Sequence, residues 1–220
     1  MKKAFTLLEL VFVIVVIGIL VAVMLPRTKS NFLYEAAIQV QSHIRYTQHL
    51  AMLNDKFDAN DTSWHKKRWQ ILFSDNSSGA GGKWAYTIFA DVNGASTGNP
   101  TETEIAVNPQ NSSQRMTGGQ TGSSKLKIDN PNFIGMKKMN IGRSYGIVGV
   151  TFSNSCRVGT STRLAFDYLG RPLKGNLKDT TESYDNTHLL KNDCNITLSD
   201  SSDSVTIQID PETGYARIVF

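Results

Sequence analysis

Cysteine and clustered charge are both scarce in this chain, and each scarcity excludes something. Only Cys156 and Cys194 occur among 220 residues, too few for a disulfide-dense miniature scaffold or a four-cysteine zinc site. The 23 basic and 19 acidic side chains leave a net charge of +4 and form no block of one sign, a balance too mild to imply nucleic acid by itself. Catalytic signatures are missing as well. The four histidines do not stand in HExxH spacing, and no serine sits in a G-x-S-x-G elbow. Gly79-Ala80-Gly81-Gly82-Lys83 lacks the spacing and the following Ser or Thr of a phosphate loop and reads as a hairpin loop. Asp91-Val92-Asn93-Gly94 resembles the opening of a calcium loop without the later carboxylates that such a loop needs. No enzyme activity, metal or cofactor is therefore expected. A hydrophobic content of 40% supports one globular domain with a real core beside a short appendage.

The appendage is at the N-terminus. After the basic leader Met1-Lys2-Lys3-Ala4, residues Phe5 to Leu25 form a run of 21, interrupted only by Thr6, Glu9 and Gly18. As a helix this run covers about 31 Å, close to the roughly 30 Å hydrocarbon core of a bilayer. An ordinary signal peptide has an apolar region of only about 7 to 15 residues. The bland reading is a plain signal anchor, and Glu9 is the residue that does not fit it. A carboxylate at the centre of a membrane helix costs about 2.5 to 3.5 kcal/mol, so it needs a partner. A cut before Phe5 would create an amine four residues away, in the same chain or in a neighbouring one.

The segment K-K-A-F-T-L-L-E-L-V-F-V-I-V-V-I-G-I-L resembles the prepilin cleavage and methylation signal of type IV pilins and type II secretion pseudopilins. The resemblance implies cutting between Ala4 and Phe5 by a prepilin peptidase, methylation of the Phe5 amine, Glu9 as the filament-assembly carboxylate and Pro26 as a helix kink. Ala4 stands where the family nearly always has glycine, a departure expected to slow the cut. The implied location is the bacterial inner membrane, crossed once, with the C-terminal domain in the periplasm and later in a filament. The implied partners are other pilins or pseudopilins, the peptidase, the inner-membrane assembly platform and membrane lipid. Losing Lys2 and Lys3 with the leader takes the net charge from +4 to +2. In an exported chain Cys156 and Cys194 are expected to form one disulfide.

Beyond Pro26, Leu33, Ala37, Val40, Ile44, Thr47 and Ala51 recur at steps of four and three, one face of a helix. The expected fold is α+β: a long N-terminal α-helix, membrane-spanning over 5–25 and amphipathic over 26–54, packed on an antiparallel β-sheet domain over 55–220. An unbroken helix to about Leu53 would measure about 74 Å. His43, Arg45, Gln48 and His49 fall on or near its polar side and read as solvated surface. Strand patterns occur at 69–73, 84–90, 145–152, 163–168, 196–198, 205–209 and 215–220. Between Asn93 and Ser124 little is apolar except around Ile105 and Val107, so a surface insertion with at most one short strand is expected. The runs R-L-A-F-D-Y-L-G-R-P-L and V-T-I-Q-I-D-P-E-T-G-Y-A-R-I are similar to the C-terminal sheet of the GspH/FimT group of minor pilins and pseudopilins.

The resemblance implies a structural subunit of a secretion pseudopilus or pilus-like filament. One rival is a DNA-binding minor pilin. Trp64-His65-Lys66-Lys67-Arg68-Trp69 mixes cations with aromatics able to follow phosphates and stack bases, and Arg217 lies where some FimT-like members carry basic residues. Lys66, Lys67, Arg68 and Arg217 are the candidate DNA contacts. The other rival is a membrane-tethered periplasmic enzyme or binding protein.

Overall fold

The computed structural model describes residues 6–24, 31–93 and 98–219, with side chains in the first helix described through Val21. The expected cleavage and methylation residues, Ala4 and Phe5, and the expected kink at Pro26 lie outside the described residues. The chain divides into two compact units, Met1–Asn31 and Phe32–Phe220. The described residues of the first form the helix α1 (Leu7–Met24). Among the described residues no helix is long and apolar enough to cross a membrane. The described side chains of α1 stop at Val21, short of the roughly 20 apolar residues that a span requires.

The second unit opens with α2 (Phe32–Leu53). The expected unbroken rod is corrected at Asn31, which is non-helical, so the amphipathic helix starts at Phe32 and not at 26. Asn31 immediately precedes α2, where asparagine is among the favoured residue types. All six positions of the sequence-derived stripe, and Ala36 beside them, are buried.

The β-domain is α+β in composition and wholly antiparallel in its named strand pairs, but it contains two main sheets where one was expected. The first has the order β2 (Ala85–Ala90), β1 (Trp69–Ser74), β6 (Arg163–Phe166), β7 (Pro172–Lys174). The second runs β10 (Ala216–Val219), β9 (Ser204–Ile209), β8 (Cys194–Ser199), β5 (Gly149–Phe152). A small ribbon pairs β3 (Val107–Asn108) with β4 (Asn111–Arg115). Leu33, Val40 and Ile44 of α2 share one core with Ile71, Phe73, Ile88 and Phe166 of the first sheet and Val150, Ile196, Ile207 and Ile209 of the second. The helix thus packs on both sheets at once.

Two further expectations need correction. The expected strand start at Tyr145 is the end of a short helix, α3 (Ile141–Tyr145), capped by Asn140 accepting from the Arg143 N–H and closed by Gly146 at φ 72°. A left-handed residue after a helix is a standard stop, and glycine adopts it without a Cβ clash. The expected surface insertion is built into the first sheet instead. Ala90 N donates to Glu104 O, Ala106 N to Ile88 O, Ile88 N to Met116 O and Gly118 N to Tyr86 O, at 2.9–3.1 Å. These bonds cover the free edge of β2. Ile105 and Leu126 then pack with Leu72 and Phe89 in a second core, which is why β2 is buried on both faces. The segment reads as polar because its buried members Glu104, Asn108, Thr117 and Gln120 find partners inside the fold. Thr117, for example, shares a 2.7 Å hydroxyl contact with Thr87.

Cys156 and Cys194 are joined by a disulfide with Cα atoms 4.7 Å apart, and both are fully buried. The bridge ties the segment after β5 to the start of β8 and closes a loop with a sequence separation of 38. Chain-entropy arguments put its contribution at about 4 kcal/mol. A Cys156→Ala/Cys194→Ala variant should therefore lose about that much unfolding free energy in urea titrations. An unchanged midpoint would show that the unfolded chain is already restricted by other means.

Candidate functional site

Three places in the chain hold the residues singled out by sequence: the start of α1, the polar rim of α2, and the turn that precedes β1. At the start of α1 the backbone N–H of Thr6 donates to Glu9 Oε2 at 2.9 Å, the Thr6 hydroxyl donates to the same oxygen at 3.0 Å, and Glu9 N donates to Thr6 Oγ1 at 3.3 Å. This reciprocal pattern is a capping box, in which the first-turn carboxylate and the N-cap hydroxyl each satisfy a backbone donor that the helix leaves orphaned. The Thr6-x-x-Glu9 spacing before an apolar run carries that signal in sequence. The expectation of an assembly carboxylate overlooked it. From Leu7 to Val21 every described side chain of α1 is exposed, and all but Glu9 and Gly18 are apolar.

On α2 the residues expected to be solvated are mostly engaged with the β-domain. Gln41 Nε2 and the Arg45 guanidinium donate to Ala216 O, the latter at 2.7 Å through Nη2. Gln48 Nε2 donates to Gly170 O and Thr213 O, both at 2.8 Å. Only His49 matches the expectation of an exposed side chain without such contacts in its described surroundings. His43 lies in a chain of polar contacts. The Tyr145 hydroxyl donates to Gln39 Oε1 (2.8 Å), Gln39 Nε2 donates to the Tyr86 hydroxyl (2.7 Å), and the Tyr86 oxygen lies 2.7 Å from His43 Nδ1. Tyr86 thus accepts from Gln39 and shares its hydroxyl with His43 Nδ1, the direction of that bond following the imidazole tautomer. Burial pushes the His43 pKa down to about 4 and holds the fully buried Tyr86 phenol above its ordinary range. Periodicity placed His43 on the polar face correctly but carries no information about which remote ring lies over it.

The basic cluster before β1 is also tied into the fold. Lys66 Nζ donates to Lys178 O at 3.0 Å, and Lys67 is paired with Asp61 at 2.7 Å. Arg68 is only 4% exposed. Its Nη1 donates to Ser183 O at 2.7 Å, and its guanidinium lies over the rings of Trp64 and Tyr184 at 5.0 and 4.9 Å. Arg217 is bonded to Gln208 Oε1 and paired with Asp210 at 3.1 Å. Of the four candidate DNA contacts, two are therefore ion-paired and one is buried, arrangements that reduce the charge they can offer a phosphate backbone. Among the described residues no group of His, Cys, Asp and Glu could hold a metal ion. No family model, curated protein or solved structure matches the chain.

The His43 network makes stability depend on pH. The folded-state pKa of about 4 lies below the ordinary histidine value of 6.5, so between these values the unfolded chain binds the additional proton. The associated stabilisation is complete above about pH 6.5 and is lost as pH falls towards 4, by at most about 3 kcal/mol. Urea titrations of wild type and His43→Gln at pH 7, 5.5 and 4.5 should show a steeper acid loss in wild type. Parallel losses would place the titration elsewhere.

Proposed function

We propose that this chain is a minor pseudopilin, a structural subunit of a type II secretion pseudopilus or type IV pilus-like filament. Its N-terminal helix would lie in the inner membrane before assembly, with the disulfide-bonded domain in the periplasm. The observation that carries this reading is the surface of α1. Leu7, Leu8 and Phe12 are 82%, 72% and 68% exposed, and the apolar surface continues around the helix to Val21. A helix that is apolar all round needs a cover of lipid or of other helices. Each large apolar side chain left in water would forfeit about 1.5–3 kcal/mol of burial. Lipid supplies that cover before assembly, and neighbouring subunits supply it in a filament. The leader Lys2-Lys3-Ala4 and the Ala4-Phe5 junction support a processed start to the same helix.

On this reading Glu9 has two duties. Both capping bonds use Oε2, which leaves Oε1 to face the methylated Phe5 amine of an adjacent subunit. Glu9→Gln and Glu9→Ala separate these duties, because glutamine keeps the cap acceptor while losing the charge. In cells with an active prepilin peptidase, mass spectrometry should find a mature chain beginning at Phe5, and wild type should crosslink to neighbouring pilins. Both variants should lose most of that crosslinking while the β-domain stays resistant to limited proteolysis. Wild-type crosslinking by Glu9→Gln, with loss only in Glu9→Ala, would reduce Glu9 to a helix cap. Equal crosslinking in all three, or an intact Met1 terminus, would return the chain to the signal-anchor reading.

A further inference from the structure

Just beyond α2 the surface opens into a pocket of about 360 Å3 lined by Asp55, Phe57, Trp64, Tyr168 and Tyr184. Aromatic side chains so concentrated on a surface are unusual unless something stacks on them. Phe57 is 62% exposed and Tyr168 45%. The rings come from four separate places: the exit of α2, the turn before β1, the β6–β7 turn, and the loop before β8. Each is held in position beforehand. Phe57 meets Trp64 edge-on at 5.2 Å, Arg68 lies between Trp64 and Tyr184, and Arg171 lies over Tyr184 at 4.8 Å. Buried Asp167 accepts from Leu169 N, Arg171 N and Arg171 Nε at 2.7–3.0 Å, which fixes the turn that carries Tyr168.

The charges around the pocket restrict what it can take. Two guanidiniums already use the π-systems of Trp64 and Tyr184, so a third cation would meet like charge at those two rings. Asp55 lines the same pocket and repels an anion. A neutral ligand remains, with one apolar face for the rings and a polar edge for the carboxylate and phenol groups. A pyranose has both, in its face of C–H groups and its rim of hydroxyls. We propose that this pocket binds one sugar ring of a neutral glycan, with Phe57, Trp64 and Tyr168 as stacking platforms and Asp55 as a hydroxyl acceptor. The proposal is independent of the filament reading.

The test uses the full chain in lauryldimethylamine oxide, a detergent without a sugar headgroup, with cellohexaose, maltohexaose and chitohexaose as probes in saturation-transfer NMR. Ring C–H protons of at least one probe should receive saturation. Phe57→Ala and Tyr168→Ala should each raise its Kd about tenfold, and Phe57→Trp should restore it. Both alanine positions are exposed, and near-UV circular dichroism checks that the fold survives. Absence of transfer to all three probes from folded wild type overturns the proposal, as does an unchanged Kd in both alanine variants. Tighter binding of choline or of a proline hexapeptide than of every sugar also overturns it, by assigning the pocket to a cation or to a peptide.

Discussion

The burial of one face of α2 is the contact on which the β-domain depends. Each main sheet has only four strands, and a sheet with one apolar face needs another layer to cover it. Here a single helix supplies that layer to both. Ala36, Ala37 and Ala51 are small enough for strands to approach closely, while Leu33, Val40 and Ile44 fill the space between. The polar rim then orients the helix. Gln41, Arg45 and Gln48 donate to main-chain carbonyls of the strand β10 and of two turns, groups whose positions are set by backbone geometry and not by side-chain identity. One carbonyl at the start of β10 is thereby satisfied by helix side chains, where an edge would otherwise present it to water or to another chain.

The same arrangement explains which parts of the fold were legible in sequence. The α2 stripe was readable because a helix that buries one face must repeat its apolar residues every three or four positions. The strands of the second sheet were readable because their alternation is strong, as in buried Ile207 and Ile209 flanking half-buried Gln208. β7 was not readable: it is three residues long and starts with Pro172, which lacks an N–H and normally argues against a strand. The expected surface insertion between Asn93 and Ser124 misled for a different reason. Its contribution is main-chain pairing to the edge of β2 and hydrogen bonding by buried polar groups, such as Glu104, whose carboxylate accepts from Asn93 N at 2.8 Å and Thr101 N at 2.9 Å. Neither leaves a periodic apolar trace. Two sheets instead of one could not be told from strand patterns alone, since both arrangements require similar alternation.

The aromatic and basic residues before β1 show the limit of reading a cluster by composition. Trp64, Arg68 and Trp69 invite a nucleic-acid reading because cations and rings are the groups that bind phosphates and bases. Once folded, Arg68 is spent between two rings, one of them supplied by Tyr184 from a segment more than a hundred positions away in the chain. Burying a guanidinium is costly unless its donors and charge are accommodated. Its stacking and its bond to Ser183 O provide part of that accommodation, and desolvation still lowers its pKa. The cluster therefore serves first to hold rings in place, and what those rings present outward is aromatic more than basic.

The start of α1 poses the opposite problem, since there the sequence signal is strong and the local geometry adds a competing explanation. A carboxylate in an apolar helix demands a reason, and the resemblance to pilins offers one through assembly. The capping box offers another that needs no second subunit. The two are compatible on physical grounds. In a low-dielectric surrounding an unsatisfied first-turn N–H is expensive, so a helix that starts near or within lipid gains more from Thr6 and Glu9 than the same pair would give in water. The capped carboxylate has its hydrogen bonds partly made, and in the proposed filament an approaching amine would neutralise charge without first stripping a full hydration shell. On the proposed filament reading, a residue that caps the helix in the single chain would also be prepared to pair between chains, and its cost in an apolar segment would be divided between two partners instead of resting on one.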